Sequence, residues 1–396
     1  MTTNSEWLQR YSDSVLGVFG TPPIVLDHGD GCYVWDVDGR RYLDLVGGIA
    51  VNALGHGHPA LVAAVSKQVA EAVHISNLFT SPGQIRLAER LLEVAGAPDG
   101  SRVFFGNSGA EAMEAAIKLA RRTCRTGIVA AEHAFHGRTT GALALTHKAA
   151  YREPFEPLLP GVVHVPYDDV EALREAVDET TSAVVLEPVQ GEAGVIAPSI
   201  DFLQQAREIT TAAGALLIID EIQTGIGRTG RWFGFQHAGI VPDAITIAKG
   251  LGGGVPIGAM ITFGPEVSRL LTAGQHGTTF GGNPLAAAAG LAVLDTIEQD
   301  GLLAHAQRMG RHLAETVDAA HIPHVTGVRG QGLLRAIVFD APISAGVAVA
   351  ARNAGVIINP VAPEAIRLAP PLVIQAEQLD DFVAALPDFV KEATSA

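Results

Sequence analysis

The sequence between residues 243 and 254 reads DAITIAKGLGGG. Its first part is a short apolar run rich in β-branched residues, which predicts a buried strand that ends at Lys249 and leads into a glycine loop. Burial removes water from an ammonium group and lowers its pKa, so more of the neutral amine, which can attack a carbonyl, is present. The alternative is an ordinary strand-end lysine whose side chain reaches solvent, and the rest of the chain decides between the two.

The composition is that of a large globular protein. Its 396 residues are 48% hydrophobic and 17% charged, enough for one large domain with a smaller companion. The formal net charge of −15 argues against polyanionic partners, so neither nucleic acid nor a membrane surface is expected. The sequence has two cysteines, no targeting pattern at its N-terminus and no apolar run of the ~20 residues that span a membrane. A cytoplasmic protein is therefore expected.

Residue patterning divides the chain into three parts. Residues 1–58 contain short strand-like pieces, whereas residues 59–284 alternate continuous apolar strands with amphipathic helices. That alternation is typical of an α/β fold with a mostly parallel sheet covered by helices. Residues 285–396 predict helices and a few strands. Because the first and last parts are each too small to bury a core alone, they are predicted to form one small α+β domain together.

Several chemically suggestive groups follow the predicted strands of the central part. Ser108, Gly109 and Ala110 open a helix, where free backbone amides can bind a phosphate, although an ordinary serine-capped helix explains them equally well. Asp220 ends an apolar strand, where a carboxylate needs a cationic partner such as a protonated heterocycle. Phe135 is able to stack on a planar ligand. Ligands of α/β sheets bind at this edge, which favours a ligand site.

Three further charged residues stand near predicted strands. Arg138 can hold a carboxylate with two hydrogen bonds, although taken alone it is better explained as a surface arginine, as Phe135 is as a core phenylalanine. Arg367 lies inside an apolar strand, where a charge belongs either to a buried ion pair or to a carboxylate site. Glu192 follows the end of another strand. These residues leave open a local site for a small anion despite the negative net charge.

Two other kinds of site have weaker support in the sequence. Residues 225–230, GIGRTG, match a dinucleotide-binding pattern, but neither an amphipathic helix nor a ribose-binding acid follows. His133 and His136 have a spacing that a metal could use, but no third ligand is evident, so no metal is expected. Pyridoxal phosphate instead requires groups of the kinds described above: a phosphate cradle at a helix start, an aromatic ring to stack on, a strand-end aspartate and a desolvated lysine.

In the order of these groups the chain resembles the class III aminotransferases, the ω-amino group of fold-type I pyridoxal-phosphate enzymes. The resemblance covers residues 22–385, and its most specific part is the run from Ile219 to Gly225 followed by Lys249. It implies the fold-type I architecture, pyridoxal phosphate as cofactor and a homodimer. It also implies that N-acetylornithine gives its amine to 2-oxoglutarate, which becomes glutamate in a step of arginine biosynthesis.

The resemblance further implies how the cofactor is held. Lys249 would bind the cofactor covalently and move the substrate proton, and Asp220 would pair with the pyridine nitrogen. Gln223 would donate to the phenolic oxygen, and Phe135 would stack on the ring. The phosphate would be bound by Ser108, Gly109 and Ala110, and by Thr279 of the partner subunit.

Substrate recognition is likewise implied by the resemblance. Arg138 would bind the α-carboxylate of N-acetylornithine or the distal carboxylate of 2-oxoglutarate. Arg367 would bind the α-carboxylate of glutamate and pair with Glu192 when none is present. Aminotransferases for ornithine, succinyl-diaminopimelate or 4-aminobutyrate share most of these residues and stay open as alternatives. So do an aminomutase and a non-catalytic metabolite-binding protein of the same fold.

Overall fold

The computed structural model describes residues 2–395, in which fifteen strands form three sheets. The strands are β1 Leu26–Asp30, β2 Tyr33–Asp36, β3 Arg41–Asp44, β4 Arg102–Gly106, β5 Gly127–Ala131, β6 Val162–Val165, β7 Thr181–Leu186, β8 Leu216–Asp220, β9 Ala244–Ile247, β10 Gly258–Thr262, β11 Val325–Gln331, β12 Leu334–Phe339, β13 Val356–Ile357, β14 Asn359–Ala362 and β15 Ala365–Leu368.

Helices separate most of these strands, and one of them begins at a residue of the predicted phosphate cradle. They are α1 Asn4–Ser14, α2 Gly47–Ala50, α3 Pro59–Glu71, α4 Pro82–Ala95, α5 Gly109–Arg121, α6 Thr140–Leu145, α7 Ala149–Arg152, α8 Val170–Ala176, α9 Ile200–Ala213, α10 Phe235–Ala238, α11 Pro265–Ser268, α12 Pro284–Gln299, α13 Leu302–Ala319, α14 Ser344–Asn353 and α15 Ala376–Ser395. Short 3-10 turns cover Glu153–Phe155 and Lys249–Gly252. No helix within residues 2–395 is both long enough and apolar enough to cross a membrane.

The central sheet has seven strands in the order β4-β10-β9-β8-β7-β5-β6. Every neighbouring pair is parallel except those of β10, which runs antiparallel to both β4 and β9. All residues of β7, β8 and β9 are buried, which is why their sequences are continuous apolar runs. The predicted mostly parallel sheet is confirmed, whereas β10 is an addition that the sequence patterning missed.

Both faces of the central sheet are covered. Leu217 and Ile219 of β8 belong to one hydrophobic cluster, which also contains Leu203 of α9. Leu216 and Ile218 belong to a second cluster, on the other face. Because successive side chains of a strand point to opposite faces, this division shows that β8 lies between two helical layers. The predicted α/β class is therefore confirmed.

Two smaller sheets are built largely from the chain ends. β1, β2, β3 and β13 form one of them, and β13 pairs in parallel with β3 through Leu43 and Val356. β11, β12, β15 and β14 form the other, which is antiparallel and carries Arg367 on β15. The two chain ends thus share a sheet. The division of the chain at residues 58 and 284 stays a prediction.

Leu217 offers a test of this core, since its side chain is fully buried in the middle strand of the sheet. Leu217→Ala is expected to lower the free energy of unfolding by about 2–5 kcal/mol because it leaves a cavity that the packed layers cannot fill. Urea denaturation followed by circular dichroism measures the loss. Val163→Ala is the control, since Val163 is 52% exposed on the edge strand β6. Equal losses in the two variants would contradict the described layering.

Candidate active site

A cavity of about 470 Å³ opens at the carboxyl ends of the parallel strands. Its size is that of a small-molecule site. The carboxyl ends of parallel strands meet at one sheet edge, so residues distant in sequence converge there. Eight of the predicted site residues line it: Ser108, Gly109, Ala110, Phe135, Arg138, Asp220, Gln223 and Lys249. Thr279, Glu192 and Arg367 do not line this cavity.

Lys249 lies where the chain passes from strand β9 into a 3-10 turn. The strand was predicted to end at Lys249, but β9 ends two residues earlier, at Ile247. The strand ends early because Lys249 has a left-handed backbone conformation, with φ 41°, and begins the 3-10 turn. A strand cannot continue through a residue with that conformation. Burial lowers the pKa of its ammonium group, as the sequence predicted. A larger fraction of neutral amine is therefore present at Nζ.

Asp220 ends β8 and is held by three donors. Its Oδ2 accepts a hydrogen bond from Nδ1 of His136 at 2.7 Å, and its Oδ1 accepts from the Ile222 amide at 3.0 Å and the Thr246 hydroxyl at 3.2 Å. Burial alone lowers the pKa of His136, but the hydrogen bond to Asp220 and its charge outweigh that effect, so the pKa is raised. The imidazole is thereby favoured as a cation beside the Asp220 carboxyl group. Sequence reasoning missed this role of His136, because nothing in the local pattern names its partner.

Glu187 is a second carboxyl group of the cavity wall that the sequence did not single out as a site residue. It follows β7 and is 5% exposed, and its Oε1 accepts a hydrogen bond from the Phe135 amide at 3.1 Å. Burial raises the pKa of Glu187 to about 7, and the nearby charge of Asp220 acts in the same direction. Glu187 thus fixes the backbone that carries Phe135.

The start of α5 has the properties of an anion site. Ser108 caps the helix, and its Oγ accepts from the Glu111 amide at 3.2 Å, as expected of an ordinary capped helix. Within residues 2–395 no acceptor is found for the amides of Gly109 and Ala110, which line the cavity. A Cβ at Gly109 would lie 2.7 Å from a methyl carbon of Ile222, so a larger residue there would require the Ile222 side chain to shift. Both interpretations of this segment hold together, because the hydroxyl caps the helix while the amides face the cavity.

Arg367 and Glu192 form an ion pair beside this cavity. Nη1 of Arg367 lies 2.5 Å from Oε1 of Glu192 and donates to Oε1 of Gln223 at 3.1 Å, and Nη2 donates to Oδ1 of Asn359 at 2.8 Å. The Arg367 side chain is only 2% exposed. Burial raises the pKa of Glu192, but the charge of Arg367 outweighs it, so the pKa is lowered. The buried guanidinium therefore has a carboxylate partner, as its place in an apolar strand required.

Thr279 is the predicted site residue that the structure places apart. It is exposed in the loop between α11 and α12, next to Phe280, and it does not line the cavity of its own chain. The histidines with metal-compatible spacing also diverge, because His136 is bound to Asp220 whereas His133 packs edge-on against His147 at 5.3 Å between ring centres. Within residues 2–395 no group of three metal-ligating side chains is present.

The donor set fits a flat ligand with an anionic end, a basic ring nitrogen and a carbonyl group. Free amides at the start of α5 suit the anionic end, and Asp220 suits a protonated ring nitrogen. The Phe135 ring can cover the ring face, and Lys249 offers an amine of lowered pKa to the carbonyl. Pyridoxal phosphate has these features.

Comparison with known sequences gives one family over nearly the whole chain. The family model described as aminotransferase class-III matches residues 18–390. The acetylornithine aminotransferase of Mycobacterium tuberculosis strain H37Rv is 53% identical over 395 residues, which cover 100% of this chain and 98% of that protein. The acetylornithine aminotransferase of Streptomyces coelicolor is 51% identical over 392 residues, covering 99% of this chain and 97% of that protein.

Solved structures show the same architecture. The ornithine aminotransferase of Toxoplasma gondii ME49 superposes with a TM-score of 0.94 at 31% identity, covering 100% of this chain and 97% of that one. The acetylornithine aminotransferase of Elizabethkingia anophelis gives a TM-score of 0.88 at 33% identity, covering 99% of this chain and 100% of that one. The predicted family and its fold-type I architecture are confirmed.

The raised pKa of Glu187 predicts a pH-dependent loss of stability. Between pH 4.5 and pH 7 the folded protein retains a proton on Glu187 that the unfolded chain releases, so stability falls as pH rises through this window and levels off above it. Glu187→Gln removes this term. The variant is expected to gain stability over the wild type by an amount that grows across the window to on the order of 3 kcal/mol.

Urea denaturation at a series of pH values measures the difference. Glu171→Gln is the matched control, since Glu171 is 79% exposed on α8. The stability difference between Glu171→Gln and the wild type is expected to stay constant from pH 4.5 to pH 8. A constant difference for Glu187→Gln over the same range would show that Glu187 is not held in its protonated form.

Proposed function

Because the chain belongs to the class-III aminotransferases, we propose that it is an acetylornithine aminotransferase that depends on pyridoxal phosphate. It transfers the δ-amino group of N-acetylornithine to 2-oxoglutarate, giving N-acetylglutamate semialdehyde and glutamate, a step of arginine biosynthesis. The observation that carries this proposal is the identity of 53% over the full chain with an enzyme of that name. Ornithine is the second candidate donor, which the fold of the Toxoplasma gondii enzyme favours at lower identity.

The bound cofactor supplies an electrophilic carbonyl and an electron sink for amine transfer. In the proposed arrangement the amides of Gly109 and Ala110 hold its phosphate together with Ser108, and Phe135 covers its ring. Asp220, hydrogen-bonded to His136, binds the protonated ring nitrogen, and Gln223 donates to the phenolic oxygen. The same residues that line the cavity thus account for each part of the ligand.

Lys249 has two tasks in this proposal. Its Nζ binds the cofactor covalently while no substrate is present, and once released it moves a proton to and from the substrate carbon. A neutral amine is needed for both, and burial favours that form by lowering the pKa of the group. The donor and the acceptor use this amine in turn, since the aldehyde product of the donor leaves, and its amino group stays on the enzyme, before 2-oxoglutarate binds.

Substrate choice is assigned to the charged residues around the cavity. Arg138 binds the α-carboxylate of N-acetylornithine in one half-reaction and the distal carboxylate of 2-oxoglutarate in the other. Arg367 stays paired with Glu192 for the first substrate and binds the α-carboxylate of the second. One pocket can therefore present either an ω-amine or an α-amine to Lys249.

The proposed active unit is a cytoplasmic homodimer. Three large apolar side chains are strongly exposed close to Thr279: Leu78 at 86%, Phe79 at 72% and Phe280 at 57%. They share one surface, because the Asn77 side chain donates to the Thr278 carbonyl at 2.9 Å. An apolar surface of this kind is typical of a subunit interface. Thr279 would lie at that interface and bind the cofactor phosphate of the partner subunit.

An amine-donor panel tests the assigned reaction. With 2-oxoglutarate as acceptor, N-acetylornithine is expected to give a kcat/KM at least about tenfold above those of ornithine and 4-aminobutyrate, about the energy of one well-made polar contact. Lys249→Ala is expected to lose turnover and the visible absorbance of the bound cofactor, while Lys67→Ala, changed at an exposed lysine, keeps both. Faster turnover of another donor would contradict the assignment of N-acetylornithine as substrate. A protein that stays colourless with added pyridoxal phosphate would contradict the assignment of an enzyme that depends on this cofactor.

Arg367→Ala tests the division of labour between the arginines. It is expected to slow the 2-oxoglutarate half-reaction by about 100-fold, because a buried charge partner of the substrate carboxylate is lost, and the N-acetylornithine half-reaction by less than about tenfold. Single-turnover absorbance of each half-reaction measures the two effects. Arg311→Ala, at an exposed arginine of α13, is the control. Equal losses in both half-reactions would contradict the exchange of Glu192 for a substrate carboxylate.

A further inference from the structure

Arg138 is held by an aromatic ring. Its guanidinium carbon lies 3.4 Å from the centre of the Tyr151 ring and 5.7 Å from the centre of the Phe135 ring. Arg138 is exposed, and within residues 2–395 it forms neither a salt bridge nor a side-chain hydrogen bond. In the described part of the chain, the face of Tyr151 is thus the contact that restrains this guanidinium.

Tyr151 stands where two cavities meet. It belongs to the short helix α7 and lines an outer cavity of about 640 Å³, together with Lys148 and Glu192. Phe135 lines both the outer and the inner cavity, and its ring meets that of Tyr151 edge-on at 6.5 Å. Arg138 lines the inner cavity. The Tyr151 ring therefore ties the position of Arg138 to the wall between the two cavities.

A second cation shares the same ring. Nζ of Lys148 lies 4.7 Å from the ring centre and 3.5 Å from the Tyr151 hydroxyl. The negative face of an aromatic ring attracts cations, so the Tyr151 ring stabilises both Arg138 and Lys148. An aliphatic side chain at position 151 would not offset the repulsion between these two cations. Lys148 thus places a positive charge in the outer cavity close to Arg138, while Glu192 and Glu364 line the same cavity.

Stacking and carboxylate binding use different parts of a guanidinium. A ring contact occupies its flat face, whereas a carboxylate is bound by the in-plane N–H donors at its edge. A protein carboxylate paired with Arg138 would compete with the substrate for those donors, but an aromatic ring does not. Contact with Tyr151 therefore restrains Arg138 and leaves its binding edge free.

We propose that Tyr151 is a positioning residue that fixes Arg138 through its ring face and so sets the affinity of the site for the carboxylate that both substrates present to Arg138. This inference rests on the proposed function, in which Arg138 binds that carboxylate. It assigns the effect to the ring and not to the hydroxyl. It also predicts that the effect disappears when Arg138 is absent.

Calorimetric titration of the cofactor-loaded enzyme with glutarate, a dicarboxylate without a reactive carbonyl, tests the proposal. Tyr151→Leu is expected to raise the Kd for glutarate and the KM for 2-oxoglutarate about three- to tenfold, the range of one cation–π contact, with kcat changed by less than about twofold. Tyr151→Phe keeps the ring and is expected to bind as the wild type does. In the Arg138→Ala background, Tyr151→Leu is expected to add nothing.

The outcomes separate this inference from the proposed function. If Arg138→Ala leaves glutarate binding unchanged, the assignment of Arg138 as a carboxylate ligand fails, and the role of Tyr151 falls with it. If Arg138→Ala weakens binding but Tyr151→Leu does not, or Tyr151→Leu weakens it equally without Arg138, the role of Tyr151 alone is overturned. If Tyr151→Leu does not fold, two other proteins are compared, one with phenylalanine and one with trifluorinated phenylalanine at position 151. Fluorination removes the negative charge of the ring face and leaves the shape of the side chain nearly unchanged. Equal Kd values for those two proteins would likewise overturn the proposal.

Discussion

The register between β8 and β9 fixes the centre of the site. Asp220 is paired with Thr246 in the parallel ladder, and the Thr246 hydroxyl donates to Asp220 at 3.2 Å. Lys249 follows three residues after Thr246, once the backbone has left the strand. A slip of one residue would turn every side chain of a strand to the other face of the sheet, so the core that locks this register also sets where the carboxylate and the amine stand. The buried sequences of both strands are thus a condition of the chemistry.

Ionisable groups at this sheet edge are stabilised in different ways. Asp220 is compensated by His136, whose pKa is raised, and Glu192 is compensated by Arg367. Glu187 lies near His136 but forms no salt bridge within residues 2–395, and burial raises its pKa to about 7, so near neutrality much of it carries a proton. Each uncompensated charge would cost several kcal/mol in such surroundings. Asp220, Glu192 and Arg367 thus have charged partners, whereas the Arg138 guanidinium, which has none among the described residues, is exposed to solvent.

Much of this arrangement could be predicted from the sequence, and what could not has physical causes. Lys249 was identifiable because an apolar run ends beside it, and the parallel strands because they lack alternation. β10 was missed, since a five-residue run behind a glycine and proline loop gives no periodic signal. His136 was missed as a partner of Asp220 because 84 residues separate them and only the fold brings them together. Thr279 lies apart from the cavity of its own chain, and its proposed role needs a second subunit, which the pattern of one chain does not contain.

In the proposed function, the surroundings of Arg367 account for one pocket that serves two substrates without leaving a buried charge unpaired. When Glu192 moves away, Arg367 keeps Gln223 and Asn359 as acceptors, so two neutral contacts hold the guanidinium while its charged partner is exchanged. A substrate α-carboxylate then replaces the Glu192 carboxylate, and one charge-assisted contact is traded for another of similar energy. Glu192 is the more exposed member of the pair, with 35% of its side chain accessible against 2% for Arg367. The glutamate can therefore be hydrated after release, whereas the arginine cannot, and this asymmetry makes the glutamate the group that moves.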